Sequence, residues 1–429
     1  TIQLLLLYML NINRLIKFFY LAIRSYIYLL RIPKINDTKI NLLAINHYFD
    51  QDIKALQLAA SNDINITIVE VNKIFGHLYT LYPQNVRLAK IPYDDDRIKT
   101  YRHISYLCSF IIIILLLKKV KIDCIITPSD SFYWLREFIA ASKKLMIPTI
   151  VLDKEGIISP FYFNNYPQDI KKLFPFFSDR IVVWSERQKE FWMKSGVPLE
   201  KIKVIGQPRS DLLFKLKKET NFIFNNNNPL VLFFTFEINA YIPTEYFKDK
   251  KVSWEKLRND IHSVLKKIAR NHSDLNFVVK CHPQQLDKAD IEQEFNGYQN
   301  VKVLSGASLA NQLLINADLV IGFQTTSLIE SILLRKPTIY THWTTDYDNF
   351  RDGVIPFHEH NAFIQANSPE ELEKQILNLK DKKFVFKVDL KDRDILLKEY
   401  LNNPDGNVSN KILKYINTYL NNPLCGIKT

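Results

Sequence analysis

Two carboxylates, a histidine and a run of hydroxyls mark the places where this chain could do chemistry. Asp153-Lys154-Glu155-Gly156 follows the apolar run Thr149–Leu152 and puts two acidic side chains beside a glycine. At the edge of a crevice, a carboxylate of this kind can take the proton of an attacking hydroxyl, which is general-base work; a solvated loop would use the same residues. Lys280-Cys281-His282-Pro283 closes another apolar run. Its imidazole can donate to a phosphate oxygen or, when protonated, offset part of its charge; the plainer alternative is a histidine that satisfies a loop carbonyl. Gly322-Phe323-Gln324-Thr325-Thr326-Ser327 leads from a predicted strand into an amphipathic helix. Free N–H groups and three hydroxyls at such a junction suit an anion, and a diphosphate would fit. Glu330, about a turn further on, could accept from ribose hydroxyls, while N-capping by Thr325 or Thr326 would use the same helix end. In Gly206-Gln207-Pro208-Arg209-Ser210-Asp211 the planar fork of Arg209 matches phosphate oxygens. Its structural alternative is an ion pair with Asp211 or a neighbour.

These residues need a scaffold, and the hydrophobic pattern supplies one. From Lys39 onward, short apolar runs alternate with longer amphipathic segments, which is the signature of an α/β chain with parallel sheets covered by helices. Strands are predicted at 40–45, 64–71, 122–127, 149–152, 180–184 and 202–205, then at 230–236, 276–281, 301–304, 318–323 and 338–341. At 429 residues the chain exceeds what one core usually serves, so two Rossmann-like domains are expected. The boundaries read as an apolar, basic helical segment over 1–36, a first domain over 37–214, a linker over 215–228, a second domain over 229–393 and helices over 394–429 that cross back to the first domain. The linker rests on Asn225 to Asn228, a polar run that buries little apolar surface. Ligands of open parallel sheets bind beyond the carboxyl ends of the strands, where all of the residues above fall.

Composition narrows the partners. The net charge is +12, which favours something anionic, yet no basic stripe interleaved with aromatic residues accompanies it, so nucleic acid is not expected. Residues 1–32 are apolar and carry Arg14, Lys17, Arg24 and Arg31; cations this frequent interrupt any spanning run and predict a helix lying on an anionic membrane surface. A pair of helices packed on the first domain is the alternative. The run Leu107–Leu117 is half the length of a membrane span and is predicted to be a buried helix. Four scattered cysteines suggest neither a zinc site nor a disulfide framework and fit a reducing cytoplasm. No classical glycine-rich fingerprint, Walker sequence or Asp-x-Asp element occurs, so neither a metal nor a cofactor is expected.

Taken in order, Asp153–Gly156, Val183-Trp184-Ser185-Glu186-Arg187-Gln188, Gly206–Asp211, Lys280–Pro283, Ala317–Gly322 with Thr325–Ser327, Glu330 and Lys336-Pro337 resemble the bacterial surface-carbohydrate and capsule biosynthesis glycosyltransferases of GT-B fold. Relatives with a similar His-Pro element include capsule Kdo transferases, bacterial sialyltransferases and glycerophosphotransferases that use CDP-glycerol. The resemblance implies two domains facing each other across a cleft, a nucleotide-activated donor and a glycan or glycolipid acceptor. It also implies a donor phosphate bound by His282 and the hydroxyls of Thr325 to Ser327, and a base from the 153–156 loop. In that family the acidic residues before the glycine are often adjacent, whereas Lys154 separates them here. The base therefore lies between Glu155 and Asp153, with Glu155 favoured because it immediately precedes the glycine. The rival readings are a UDP-N-acetylglucosamine 2-epimerase and a non-catalytic scaffold; the basic apolar opening argues against the first, and the His282 and hydroxyl set against the second.

Overall fold

Short aliphatic and β-branched runs form every strand. In the computed structural model of the chain, which describes residues 20–32, 40–76, 82–83, 91–219, 222–239, 252–282, 285–306, 309–381 and 385–421, they build two parallel six-stranded sheets, each in its own unit.

The first unit comprises the chain up to Gly156, then Asn165–Arg209, and the part from Asn407 on. Its strands are β1 (Ile40–Asn46), β2 (Ile64–Glu70), β3 (Cys124–Thr127), β4 (Thr149–Leu152), β5 (Arg180–Val183) and β6 (Ile202–Val204), in the order β2-β1-β3-β4-β5-β6. Both faces are covered, which is why β3 and β4 are apolar at nearly every position rather than alternating. One layer holds α1 (residues 20–31), α3 (Lys99–Leu117) and α4 (Tyr133–Lys144); α2 (Asp50–Ala59) lies on the opposite face, and α5 (Glu186–Lys194) follows β5. Ile112, Ile113 and Leu116 of α3 and Phe138 of α4 pack with Leu43 and Ile45 of β1. Leu42 and Ala44 face the other way, onto Ile53 and Leu56 of α2.

The α3 helix corrects one expectation. It is longer than the apolar run, beginning at Lys99, and only one side is buried. Leu107 and Ile111 are 47% and 58% exposed, because a helix apolar all round can bury only the side that meets the layer beneath it. Among the described residues the helical stretch Asp96–Leu117 is the one long and apolar enough to cross a membrane.

The second unit comprises Ile157–Asn164 and Ser210–Gly406. Its strands are β7 (Leu230–Phe234), β8 (Asn276–Lys280), β9 (Val301–Leu304), β10 (Leu319–Gly322), β11 (Thr338–Thr341) and β12 (Ile364–Ala366), in the order β12-β11-β10-β7-β8-β9. The three-residue β12 is missing from the predicted set. Around the sheet lie α6 (Glu255–Asn271), α7 (Ala310–Asn316), α8 (Ser327–Leu333) and α9 (Leu390–Leu401). Leu257, Ile261, Leu265 and Ile268 form the buried stripe of α6 at helical spacing.

The predicted boundaries shift in two places. The segment read as a linker over 215–228 belongs to the second unit. Lys218 pairs with Asp318 at 2.8 Å, the Glu219 N–H donates to Asn316 Oδ1, and Asn226 Oδ1 accepts from Asn276 Nδ2 at 2.6 Å. Asparagine side chains here satisfy the sheet's end instead of solvating a free tether. The return to the first unit falls at 406/407, not at 393/394, since α9 packs on α8. Only the last helix, α10 (Val408–Leu420), joins the first unit, inserting Ile412 and Ile416 beneath β1 and β3.

Each sheet runs one way from its first strand and then restarts on the other side of it. The reversals lie between β1 and β3 and between β7 and β10. At such a point the loops diverge and leave a crevice at the carboxyl edge.

Candidate functional site

In the first unit the 153–156 loop is held by the start of α5. Ser185 caps that helix, accepting from the Gln188 N–H. The Gln188 amide then does three things: Oε1 accepts from the Trp184 N–H at 2.5 Å, while Nε2 donates to Asp153 Oδ2 at 2.6 Å and to the Glu155 carbonyl at 3.2 Å. Trp192 Nε1 adds a second donor to Asp153 Oδ2 at 2.5 Å. Asp153 is 8% exposed, and burial pushes its carboxyl up to about 7 despite these donors. It is an internal anchor. Glu155, two residues on, has a side chain 78% exposed, with Lys154 Nζ 3.7 Å away. The structure thus separates the two acids: Asp153 fixes the loop and Glu155 presents a carboxylate to solvent. Gly156 is required by closeness and not by flexibility, for its Cα faces the Trp184 ring.

Arg209 takes a different place from that expected. Asp52 on α2 is a partner: Nη1 lies 3.4 Å from Oδ2, and the Arg209 N–H donates to Oδ1 at 3.1 Å. With the Gln207 amide oxygen turned toward the guanidinium, Nε and Nη2 donate to it at 3.1 and 3.0 Å. The guanidinium also sits 5.0 Å from the Trp184 ring centroid. Those contacts take up the fork that was expected to meet a donor phosphate.

His47 is a further candidate. It follows β1 directly, at the reversal between β1 and β3. Its ring packs edge-on against Phe132 and Trp134, and burial, with the charge of Lys154, lowers its pKa to about 4. The imidazole is neutral at neutral pH. Its place just past the strand predicted at 40–45 was the available signal, and strand order then sets it at the reversal.

In the second unit, His282 follows β8 and is exposed. Its N–H donates to Gln285 Oε1 at 3.1 Å; Gln285 Nε2 donates to Asp287, and Asp287 pairs with Arg258 of α6. The loop is therefore tied to a long helix. Pro283 lies outside the described residues. Lys280, expected to bind donor, is 3% exposed and gives its ammonium to the Cys281 carbonyl at 2.7 Å. Burial lowers its pKa.

The Gly322–Ser327 junction sits at the reversal between β7 and β10. Thr325, Thr326 and Ser327 are half-buried at the start of α8, and Thr325 Oγ1 accepts from the Ser327 N–H. Thr326, the N-cap residue, makes no capping bond with its side chain. A Cβ on Gly322 would lie 3.0 Å from Leu328 Cδ2, so α8 packs tightly on the strand here. Glu330 is buried in the first turn. Gln324 departs from its expected role: it is 2% exposed, and its amide clamps Ile355, accepting from that N–H at 2.6 Å and donating to that carbonyl at 2.9 Å. Among the described residues no group of three or more His, Cys, Asp or Glu is arranged to hold a metal ion.

Two Rossmann-like units, each with candidate polar residues at the carboxyl edge of its sheet, define the GT-B class. A candidate UDP-N-acetylglucosamine 2-epimerase from Listeria monocytogenes is similar, with a TM-score of 0.55 at 15% identity, over 89% of this chain and 96% of that one. The UDP-GlcNAc 2-epimerase from Neisseria meningitidis gives 0.52 at 14% identity, over 88% and 99%. The wall teichoic acid polymerase TagF, in a crystal soaked with CDPG, gives 0.53 at 11% identity, over 96% of both chains. At these identities the likeness is one of fold. No curated protein matches the chain. The family model of CDP-glycerol:poly(glycerophosphate) glycerophosphotransferases matches residues 172–418, more than half of the chain, and the chain belongs to that family. It is a glycosyltransferase-type enzyme of bacterial surface glycan synthesis that works from a nucleotide-activated donor.

Proposed function

We propose that this enzyme moves glycerol phosphate, or a sugar, from a cytidine-diphosphate-activated donor to a hydroxyl of a growing surface glycan, without a metal ion. Glu155 removes the proton of the attacking hydroxyl. The donor's phosphate linkage breaks as the new bond forms, and the leaving nucleotide carries the negative charge away. His282 and the hydroxyls of Thr325, Thr326 and Ser327 hold that charge through directed hydrogen bonds. The family membership supports the cytidine donor; the observation that carries the chemistry is the exposed Glu155 carboxylate on a loop anchored through buried Asp153.

His47 supports a second assignment of the base. It stands beside Lys154, neutral and at the sheet reversal. The growing glycan is capsule or wall polymer, and the enzyme works as a pool on the inner face of the cytoplasmic membrane, for which the cation-rich segment ahead of the first acidic residue, Asp37, is the support.

The test is release of CMP from CDP-glycerol by the full chain in the presence of a hydroxyl-terminated acceptor. Thermal shifts with CMP, CDP, UDP and GDP accompany it, since a ligand of the native state raises its apparent stability. Stabilisation by the cytidine nucleotides and loss of release in Glu155→Ala are expected. Turnover intact in both Glu155→Ala and His47→Asn would remove the base assignment, and conversion of UDP-GlcNAc to its epimer would replace the function.

A further inference from the structure

Two helices of the first unit turn the wrong kind of surface outward. Helix α1 and α3 belong to one layer: Leu29 and Ile32 share a core cluster with Ile112, Ile113 and Leu116, and Lys119 Nζ reaches the Leu30 carbonyl at 3.5 Å. A surface helix normally sets polar residues on its outer side. On α1 the outward row at helical spacing is Tyr20, Ile23, Ile27 and Leu30, which are 64%, 60%, 44% and 50% exposed. On α3 the exposed row is Leu107 and Ile111.

The charges on these two helices are cationic, with the Glu70 carboxylate acting on Tyr28 at the groove's inner side. Neither helix contains an acidic residue, and none occurs from Arg97 to Ile122. Arg24, Arg31 and Lys73 line a groove along α1 together with Ile23, Ile27 and Tyr28, with Lys73 Nζ 5.2 Å from the Tyr28 ring centroid. Lys118 stands exposed at the end of α3.

We propose that α1 and α3 together form the face on which the protein rests on an anionic phospholipid bilayer. The aliphatic rows enter the acyl boundary while Arg24, Arg31, Lys73 and Lys118 meet headgroup phosphates. This rests on the membrane pool proposed above and names the surface that makes it. Helix α3 lies flat and does not cross, because Ile112, Ile113 and Leu116 are committed to the core. A second copy is a poor occupant: a two-fold interface sets the same patch against itself and would bring these cations together.

The test is co-sedimentation of the full chain with vesicles of phosphatidylcholine alone, or with about 30% phosphatidylglycerol, at low and high salt. Binding should require the anionic lipid and fall with salt. The pairs I23E/I27E and L107E/I111E should each weaken it about tenfold or more, and R24Q/R31Q by about fivefold per cation removed. Thermal shifts with nucleotide and turnover of soluble acceptor should stay unchanged, which shows that the variants fold. Wild-type protein left in solution with anionic vesicles would overturn both the membrane pool and this surface. Wild-type binding that survives L107E/I111E would overturn the two-helix face and leave the pool standing. A wild-type dimer that L107E/I111E converts to monomer, with vesicle binding unaltered, would assign the face to a second copy instead.

Discussion

Gly156 and Trp184 are in contact so close that a Cβ on the glycine would lie 1.9 Å from Cε3 of the indole. Trp184 is 1% exposed and has nowhere to retreat. Gly156→Ala is expected to cost about 1–3 kcal/mol, as overpacked cores do, and to displace the loop carrying Glu155. Urea melts of Gly156→Ala and of the double variant with Trp184→Leu check this; the second substitution should return part of the lost stability. A Gly156→Ala protein as stable as wild type would contradict the contact.

The two loop acids should behave oppositely. Glu155→Gln removes an exposed carboxylate and should lower turnover by about 10²–10⁴-fold, the range for a lost general base, with the melting curve unmoved. Asp153→Ala strips a buried acceptor from Gln188 and Trp192 and should destabilise by about 2 kcal/mol. Steady-state rates set beside thermal melts separate the two outcomes.

Asp153 also predicts a pH dependence. Its folded pKa, about 7, lies above its ordinary value of 3.8 because burial disfavours the charge, so the folded chain binds a proton that the unfolded chain has released. Stability should decline as pH rises from about 4 to about 7 and level off beyond. Glu294 has the opposite sign: hydrogen bonds from His262 and then Lys266 hold it at about 2, below its ordinary 4.5, so its contribution is present above about pH 4.5 and is lost as pH falls toward 2. Denaturant midpoints against pH should lose the first slope in Asp153→Asn and the second in Glu294→Gln.

Arg209→Ala leaves Asp52, 3% exposed on its side chain, without its cation. Loss of a buried partner costs about 3 kcal/mol, and Asp52→Asn in the same chain should recover part of it. Donor binding measured on the stabilised double variant should persist if Arg209 is a structural cation; loss of binding there would restore the phosphate role.

Gln324 adopts a left-handed backbone, with φ of 49°, to bring its amide onto Ile355. Gln324→Ala strands a buried N–H and carbonyl and should cost about 3 kcal/mol. Hydrogen exchange at the Ile355 amide is the direct readout, and unchanged protection there would refute the clamp.

What the sequence determined by itself was local. Repeated apolar runs ending in polar residues placed most strands to within a residue or two, because strand burial depends on neighbours a few positions away. Glu155, His282 and Thr325–Ser327 stood out as candidates for the same reason: each lies within a few residues of a strand's carboxyl end. The tertiary structure decided what depends on distant partners. Arg209 meets Asp52 from 157 positions away, and no spacing rule distinguishes that carboxylate from Asp211. Strand order put His47 at a sheet reversal, packing made Gly156 indispensable, and burial turned Asp153 and Gln324 from reagents into anchors. The outward faces of α1 and α3 belong here too, since an aliphatic run reads alike whether its far side meets protein or something else.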